Sequence, residues 1–239
     1  MIDLPLRRGR RAISVKPQYI TIIAVKTDDL IFLDDLYFDN NLPLDVRRRH
    51  LSHWDQPNKL VFLTFRLADS LPQEVLRRFA EEKAKWLSEH PQPWSEEDLD
   101  SCRSRFAGYI DRWLDAGCGD CVLRIPQAAD VMEKALRFFN GKRYVLHGYV
   151  VMSNHVHVLV QVFDGWSWKT VVHSWKSYTA TEINKIAGRK GRLWFEETYD
   201  RLIRDKAHYV AVIDYMEKNR RHGGVRCWLK DIHGLPPGS

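Results

Sequence analysis

Cysteine is scarce in this chain: Cys102, Cys118, Cys121 and Cys227 are all it has among 239 residues. That is too few for a secreted fold of this length held by disulfides. Cys118-Gly-Asp-Cys121 is a lone Cys-x-x-Cys pair, and a structural zinc site needs two further ligands that the widely spaced remaining cysteines do not offer. Free thiols are expected. Long apolar runs are missing too. The longest early one, Ile20 to Val25, is broken by Thr21 and followed by Lys26 and two aspartates. It falls far short of the ~18 apolar residues that a membrane span needs. It is also too short for a signal-peptide core, although Arg7, Arg8, Arg10 and Arg11 precede it. No repeat or low-complexity linker follows residue 50. The expectation is a cytoplasmic protein with no membrane partner.

What is present reads as globular. Apolar residues make up 44% and charged residues 28%, which suffices for a core without staples. The length corresponds to between one and two domains at roughly 150 residues each. We expect an N-terminal extension over 1–40, one domain over 41–230 and a short tail over 231–239.

Lys59–Leu67 is rich in β-forming residues and predicts a strand. Ser70-Leu-Pro72 opens a helix broken by Pro91 and Pro93, and Ser95-Glu-Glu-Asp98 resembles a capping box that starts a second, ending near Gly117. Cys121–Ile125 is expected as a short strand, and Pro126 opens a helix that stops by Gly141. Arg143–Met152 and His155–Phe163, joined through Ser153-Asn154, predict a hairpin. A helix follows Ser167 to about Ala187, then a basic turn, a short strand at Arg201–Arg204 and a last helix from Asp205 to about His222. The β-α-β-β-α-β order predicts an α+β fold with a ferredoxin-like antiparallel sheet and helices mainly on one face.

The sharpest local pattern is Asn154-His-Val-His-Val-Leu-Val-Gln-Val162. Alternate side chains of a strand share a face, so Val156, Val158, Val160 and Val162 belong on the core, while His155, His157, Leu159 and Gln161 face the other way. Two imidazoles about 7 Å apart along a strand can converge on one metal ion. Two histidines alone are a weak motif, equally suited to two half-exposed surface residues. The last helix adds to them. Tyr215 and Asn219, at i and i+4, share one face with His208, Val212, Lys218 and His222. A face of Tyr, Asn, Lys and two His is unlike a core stripe, although a Tyr with a buried ring and a wet hydroxyl would also suit it.

Val151-Met-Ser-Asn-His-Val-His157 resembles the His-hydrophobic-His motif of single-tyrosine transposases. Trp194, Ile203-Arg204, Tyr209, Asp214-Tyr215, Asn219 and Gly224 resemble the C-terminal part of REP-associated tyrosine transposases, and Arg47–Pro72 resembles their first strand. The resemblance covers roughly residues 36–225. It implies that His155, His157 and Asn219 bind a divalent metal, Mg²⁺ or Mn²⁺, and that Tyr215 is the nucleophile. It further implies cleavage and rejoining of single-stranded or REP-like hairpin DNA through a 5′-phosphotyrosine, by a monomer or a dimer. The family's usual Pro before the Asn-His pair is Ser153 here. Tyr209 has Ile213 at i+4 instead of a ligand type. Tyr178 falls in the stripe Trp168, Val171, Val172, Trp175, Thr179 and Ile186, where core packing is expected.

Arg189, Lys190, Arg192, Arg201, Arg204, Lys218, Arg220 and Arg221 are candidate DNA contacts. The net charge of +6 is unevenly placed. Residues 1–164 hold 23 basic and 23 acidic residues, whereas residues 165–230 hold 14 basic and 7 acidic. An anionic partner is therefore expected beside the C-terminal helices. A non-catalytic nucleic-acid-binding module with the same fold, and a metal hydrolase that uses water as its nucleophile, are the alternatives.

Overall fold

Two faces of one strand organise the structure. The computed structural model describes residues 36–39, 42, 45–48, 52–91 and 94–230. The expected extension as far as residue 35, with Arg7–Arg11, and the tail from residue 231 lie outside the described residues. In chain order, β1 (Asp45–Arg48) and β2 (Ser52–Asp55) pair as an antiparallel ribbon. Then come β3 (Leu60–Arg66), α1 (Gln73–Glu89), α2 (Glu96–Asp115), α3 (Pro126–Phe138), β4 (Tyr144–Val151), β5 (His155–Val162), α4 (Trp168–Ile186), β6 (Tyr199–Leu202), α5 (Lys206–Gly223) and β7 (Arg226–Leu229). The main sheet has the order β6-β3-β5-β4-β7, and every neighbouring pair is antiparallel. With α3 and α4 as connections, β3, β4, β5 and β6 form the ferredoxin-like core.

The alternation in β5 sorts the helices. Val156, Val158, Val160 and Val162 bury against α3 and α4, among Met132, Leu136, Val172 and Trp175. Removing each valine from water contributes about 1.5–3 kcal/mol. Leu159 on the other face joins Phe62, Val150 and, from α5, Tyr209, Val212, Ile213 and Met216. Two connecting helices thus lie on one face and the tyrosine helix lies on the other. A β-bulge between Leu146 and Gly148 lets β4 serve both layers: Tyr144 and Leu146 face α3 and α4, and after the extra residue Tyr149 and Val151 do so.

α1 and α2 stand apart from this core and are tied to each other by aromatic edges, Phe79–Phe106 at 5.6 Å and Trp86–Phe106 at 6.2 Å between ring centroids. The capping box at Ser95 and Asp98 is formed. At its far end α2 returns to the sheet with Leu114 buried.

Some expectations are corrected. Cys121–Ile125 is no strand: Cys121 is left-handed (φ 50°) and Val122–Arg124 form a 3-10 turn. Tyr178 is 54% exposed, because it sits about 100° round α4 from the buried Thr179, on the flank of the stripe. Ile186, at the helix end, is exposed too. After the last helix a further strand, β7, pairs with β4, where no element was expected. Residues 37–39 already belong to the packed structure: Phe38 N–H donates to the Ile203 carbonyl (2.8 Å), and Tyr37 is buried.

Candidate active site

β3 and β5 run antiparallel with His157 opposite Thr64 and His155 opposite Arg66. That register brings four side chains together on the face covered by α5. Both imidazoles are fully enclosed, His155 1% and His157 0% exposed. Their Nε2 atoms lie 3.0 Å apart. Two ligands at right angles, each roughly 2.1 Å from one ion, would be separated by about that distance. Burial pushes His155 down to about 3 and, with the neighbouring His155, holds His157 well below the ordinary imidazole range. Both are therefore neutral at pH 7, the form in which imidazole ligates.

Each outer nitrogen is engaged. His157 Nδ1 meets Thr64 Oγ1 at 2.8 Å, and His155 Nδ1 meets Asn154 Oδ1 at 2.7 Å. Phe62 stacks on the His157 ring at 5.6 Å between centroids and meets the Tyr215 ring edge-on at 6.0 Å. α5 begins at Asp205, whose carboxylate accepts from His208 N–H at 2.7 Å. It packs by Tyr209, Val212, Ile213 and Met216, so Tyr215 comes to the edge of the buried stripe, half-buried.

The Tyr215 hydroxyl stands 3.5 Å from His157 Nε2. It is also hydrogen-bonded to the Asn219 side chain and to the Asp111 carboxylate. Burial, and then the charge of Asp111, raise the phenol above its ordinary range. Burial pushes Asp111 up to about 6, against the opposing hydrogen bond from Tyr215. Asn219 is buried and donates through Nδ2 to the Tyr215 carbonyl at 3.0 Å. Among the described residues no group of three His, Cys, Asp or Glu gathers as a metal-ligand set. The His pair with Asn219 is what this pocket offers, and an amide oxygen is a suitable partner for a hard cation.

Residues 125–219 match the family model described as Transposase IS200 like. The matched segment contains both histidines of β5, Tyr215 and, at its end, Asn219. Among solved structures, the chain is similar to a REP-associated tyrosine transposase bound to a REP hairpin, at 14% identity over 80% of this chain and 79% of that one (TM-score 0.39). It is also similar to a transposase candidate from Deinococcus radiodurans R1, at 12% identity over 72% and 96% (TM-score 0.32). No curated protein matches.

The other candidate residues scatter. Arg189 is tied to Asp120 at 3.0 Å and Asp69 at 3.7 Å, which fastens the end of α4 to the loop after α2. Arg220 and Arg221 both pair with Glu217. Lys190, Arg192, Arg204 and Lys218 are exposed, and Arg201 is half-buried. Tyr209 is enclosed, with its hydroxyl 3.1 Å from His147 Nδ1.

Sequence reasoning did not reach Thr64, Arg66, Asp111 or Asn154. Thr64 and Arg66 belong to the site by cross-strand register alone. Asp111 belongs to it through a helix lying more than a hundred residues before Tyr215. Arg66 is a buried guanidinium, lowered to about 10 by burial and stacked 3.6 Å over the Phe195 ring. Among the described residues no helix is long and apolar enough to cross a membrane.

Proposed function

We propose that this chain is a metal-dependent DNA strand transferase that cuts and rejoins single-stranded or REP-like hairpin DNA through Tyr215. The observation that carries the reading is the Tyr215 hydroxyl 3.5 Å from His157 Nε2, which itself faces His155 Nε2 at 3.0 Å. His155, His157 and Asn219 would hold a divalent cation, Mg²⁺ or Mn²⁺, which would polarise the scissile phosphate and neutralise charge developing on it.

The chain's own groups do the rest. The Tyr215 oxygen attacks phosphorus, the bond from phosphorus to the 3′ oxygen breaks, and the departing oxygen takes a proton from water to become a free 3′-OH. A 5′-phosphotyrosine remains. Asp111, hydrogen-bonded to the hydroxyl, receives the tyrosine's proton. The phosphodiester's energy is kept in the new bond, so a second 3′-OH reseals the strand without ATP.

The DNA reading draws further support from the basic balance of residues 165–230 and from the relative described as bound to a REP hairpin. Exposed Lys190, Arg192, Arg204 and Lys218 are the proposed phosphate contacts, with Arg220 and Arg221 available if Glu217 releases them.

The test is incubation of the protein with a labelled hairpin oligonucleotide and Mn²⁺. A covalent protein–DNA species is expected, and it should not form when EDTA is present from the start or in His157→Ala. Binding that survives EDTA and never yields that species would instead make the chain a nucleic-acid-binding module. Turnover that leaves no covalent species would make it a hydrolase.

A further inference from the structure

Asn154 lies between the metal-site histidines and the end of α2, and it is completely buried. Its Nδ2 donates to two backbone carbonyls, those of Leu114 and Cys118, each at 3.2 Å. Carbonyl oxygens only accept, so the amide nitrogen must face them and Oδ1 must face His155. An amide oxygen also only accepts. The Nδ1 of His155, 2.7 Å away, therefore carries the proton, and its Nε2 presents a lone pair to the space it shares with His157. The partner of His157 has no such constraint, since the Thr64 hydroxyl both donates and accepts.

We infer that Asn154 is a positioning residue that holds His155 as the Nδ1–H tautomer, with the last turn of α2 and the following loop as its anchor. This rests on the metal-site reading above. α2 and this loop lie outside the segment that matches the transposase family. Through Leu114 and Cys118 they orient a proposed ligand, and through Asp111 they touch the proposed nucleophile. The α1–α2 insertion is in this way part of the site and more than an appendage to it. The loop is built tightly for this. Gly119, next to Cys118, has φ +87°, and a Cβ there would fall 2.6 Å from the Asp69 carbonyl oxygen. Asp120 N–H donates to the Asp69 carboxylate at 3.0 Å.

Outer partners of metal-bound histidines set tautomer and ring direction, and their loss typically weakens metal binding 10–100-fold. Asn154→Leu removes the acceptor and keeps the branched shape of the side chain, at a larger volume. Asn154→Asp keeps an acceptor for His155 Nδ1–H but loses the donors to the Leu114 and Cys118 carbonyls. The experiment combines ¹⁵N imidazole spectra of the metal-free protein at pH 8, with the His155 signals assigned through His155→Gln, and Mn²⁺ titration of the same three proteins. Thermal melting of each is recorded alongside.

In the wild type, His155 should be protonated at Nδ1 alone. Asn154→Asp should melt lower yet keep that tautomer, while Asn154→Leu should show mixed tautomers and bind Mn²⁺ about 10–100-fold more weakly than wild type. Tautomer and Mn²⁺ affinity that track melting temperature alike in both variants would overturn the inference, as would an unchanged tautomer in Asn154→Leu. Should both variants fail to fold, a wild-type His155 protonated at Nε2 would overturn it by itself. Absence of Mn²⁺ binding by the wild type would count against the metal reading and leave the tautomer result standing as its own test.

Discussion

At the scale of single residues, the site is defined by groups held in unfavourable electrostatic states. Asp111 is raised from the ordinary carboxylate range to about 6, mainly by burial. The folded protein thus holds this proton more tightly than the unfolded chain, and stability is lost as pH rises from about 4 through 6. Asp111→Asn should therefore be more stable than wild type at pH 8 by roughly 1–3 kcal/mol, with the gap closing near pH 4. Denaturant unfolding at the two pH values checks this, and equal stability at pH 8 would show that the carboxylate costs nothing there. Such a carboxylate beside a candidate nucleophile fits a working group better than a packing one. His147 has the opposite sign. Burial, then Lys230, lowers it to about 3, so it folds neutral while the unfolded chain takes up a proton below about 6.5. Its contribution is complete above that pH and is lost as the pH falls toward 3. Melting temperature should drop on acidification below pH 6.5, and His147→Gln should flatten that drop.

At the scale of elements, the strand Leu60–Arg66, the hairpin and the tyrosine helix were legible in the sequence because each carries a local signal. Valines at every second position mark the core face of β5, Ser95 and Asp98 mark the start of α2, and Asp205 marks that of α5. The Tyr215–Asn219 pairing was legible for the same reason, since helical spacing fixes it. What stayed hidden depends on long-range contact. β7 has no pattern of its own and exists by pairing with β4. Thr64 is assigned to His157 only by the register of two strands 93 residues apart. Asp111 and the Leu114 and Cys118 carbonyls reach the site because α2 folds back onto the sheet. Tyr178 was misplaced because a stripe advancing by threes and fours leaves its flanking position in solvent. The tight places are also elemental. Gly148 follows the bulge, and a Cβ there would meet Leu229 at 2.8 Å. Gly119→Ala adds a left-handed strain and a backbone clash, so it should destabilise by about 2–3 kcal/mol. Thermal unfolding measures that cost, and a change below about 0.5 kcal/mol would show that the loop has room to move.

At the scale of the whole molecule, one sheet separates two tasks. Its valine face, under α3 and α4, is a packed core, and its histidine face, under α5, carries the proposed chemistry. The excess positive charge lies in residues 165–230, which bear α4, β6 and α5. Binding of a hairpin oligonucleotide should weaken steeply with salt, and Lys190→Ala and Arg192→Ala should each reduce the slope of log K against log salt by about 1. Fluorescence anisotropy across a salt series checks this, and an unchanged slope in both variants would remove that turn from the DNA path. The central claim, that Tyr215 becomes joined to DNA, is tested most directly by peptide mass spectrometry of the protein after reaction with a hairpin oligonucleotide and Mn²⁺. The account predicts a nucleotide mass on Tyr215, resolved by fragmentation from Tyr209 in the same stretch of α5, and none in Tyr215→Phe. A nucleotide on Tyr209 or Tyr178, or an adduct that persists in Tyr215→Phe, would contradict it.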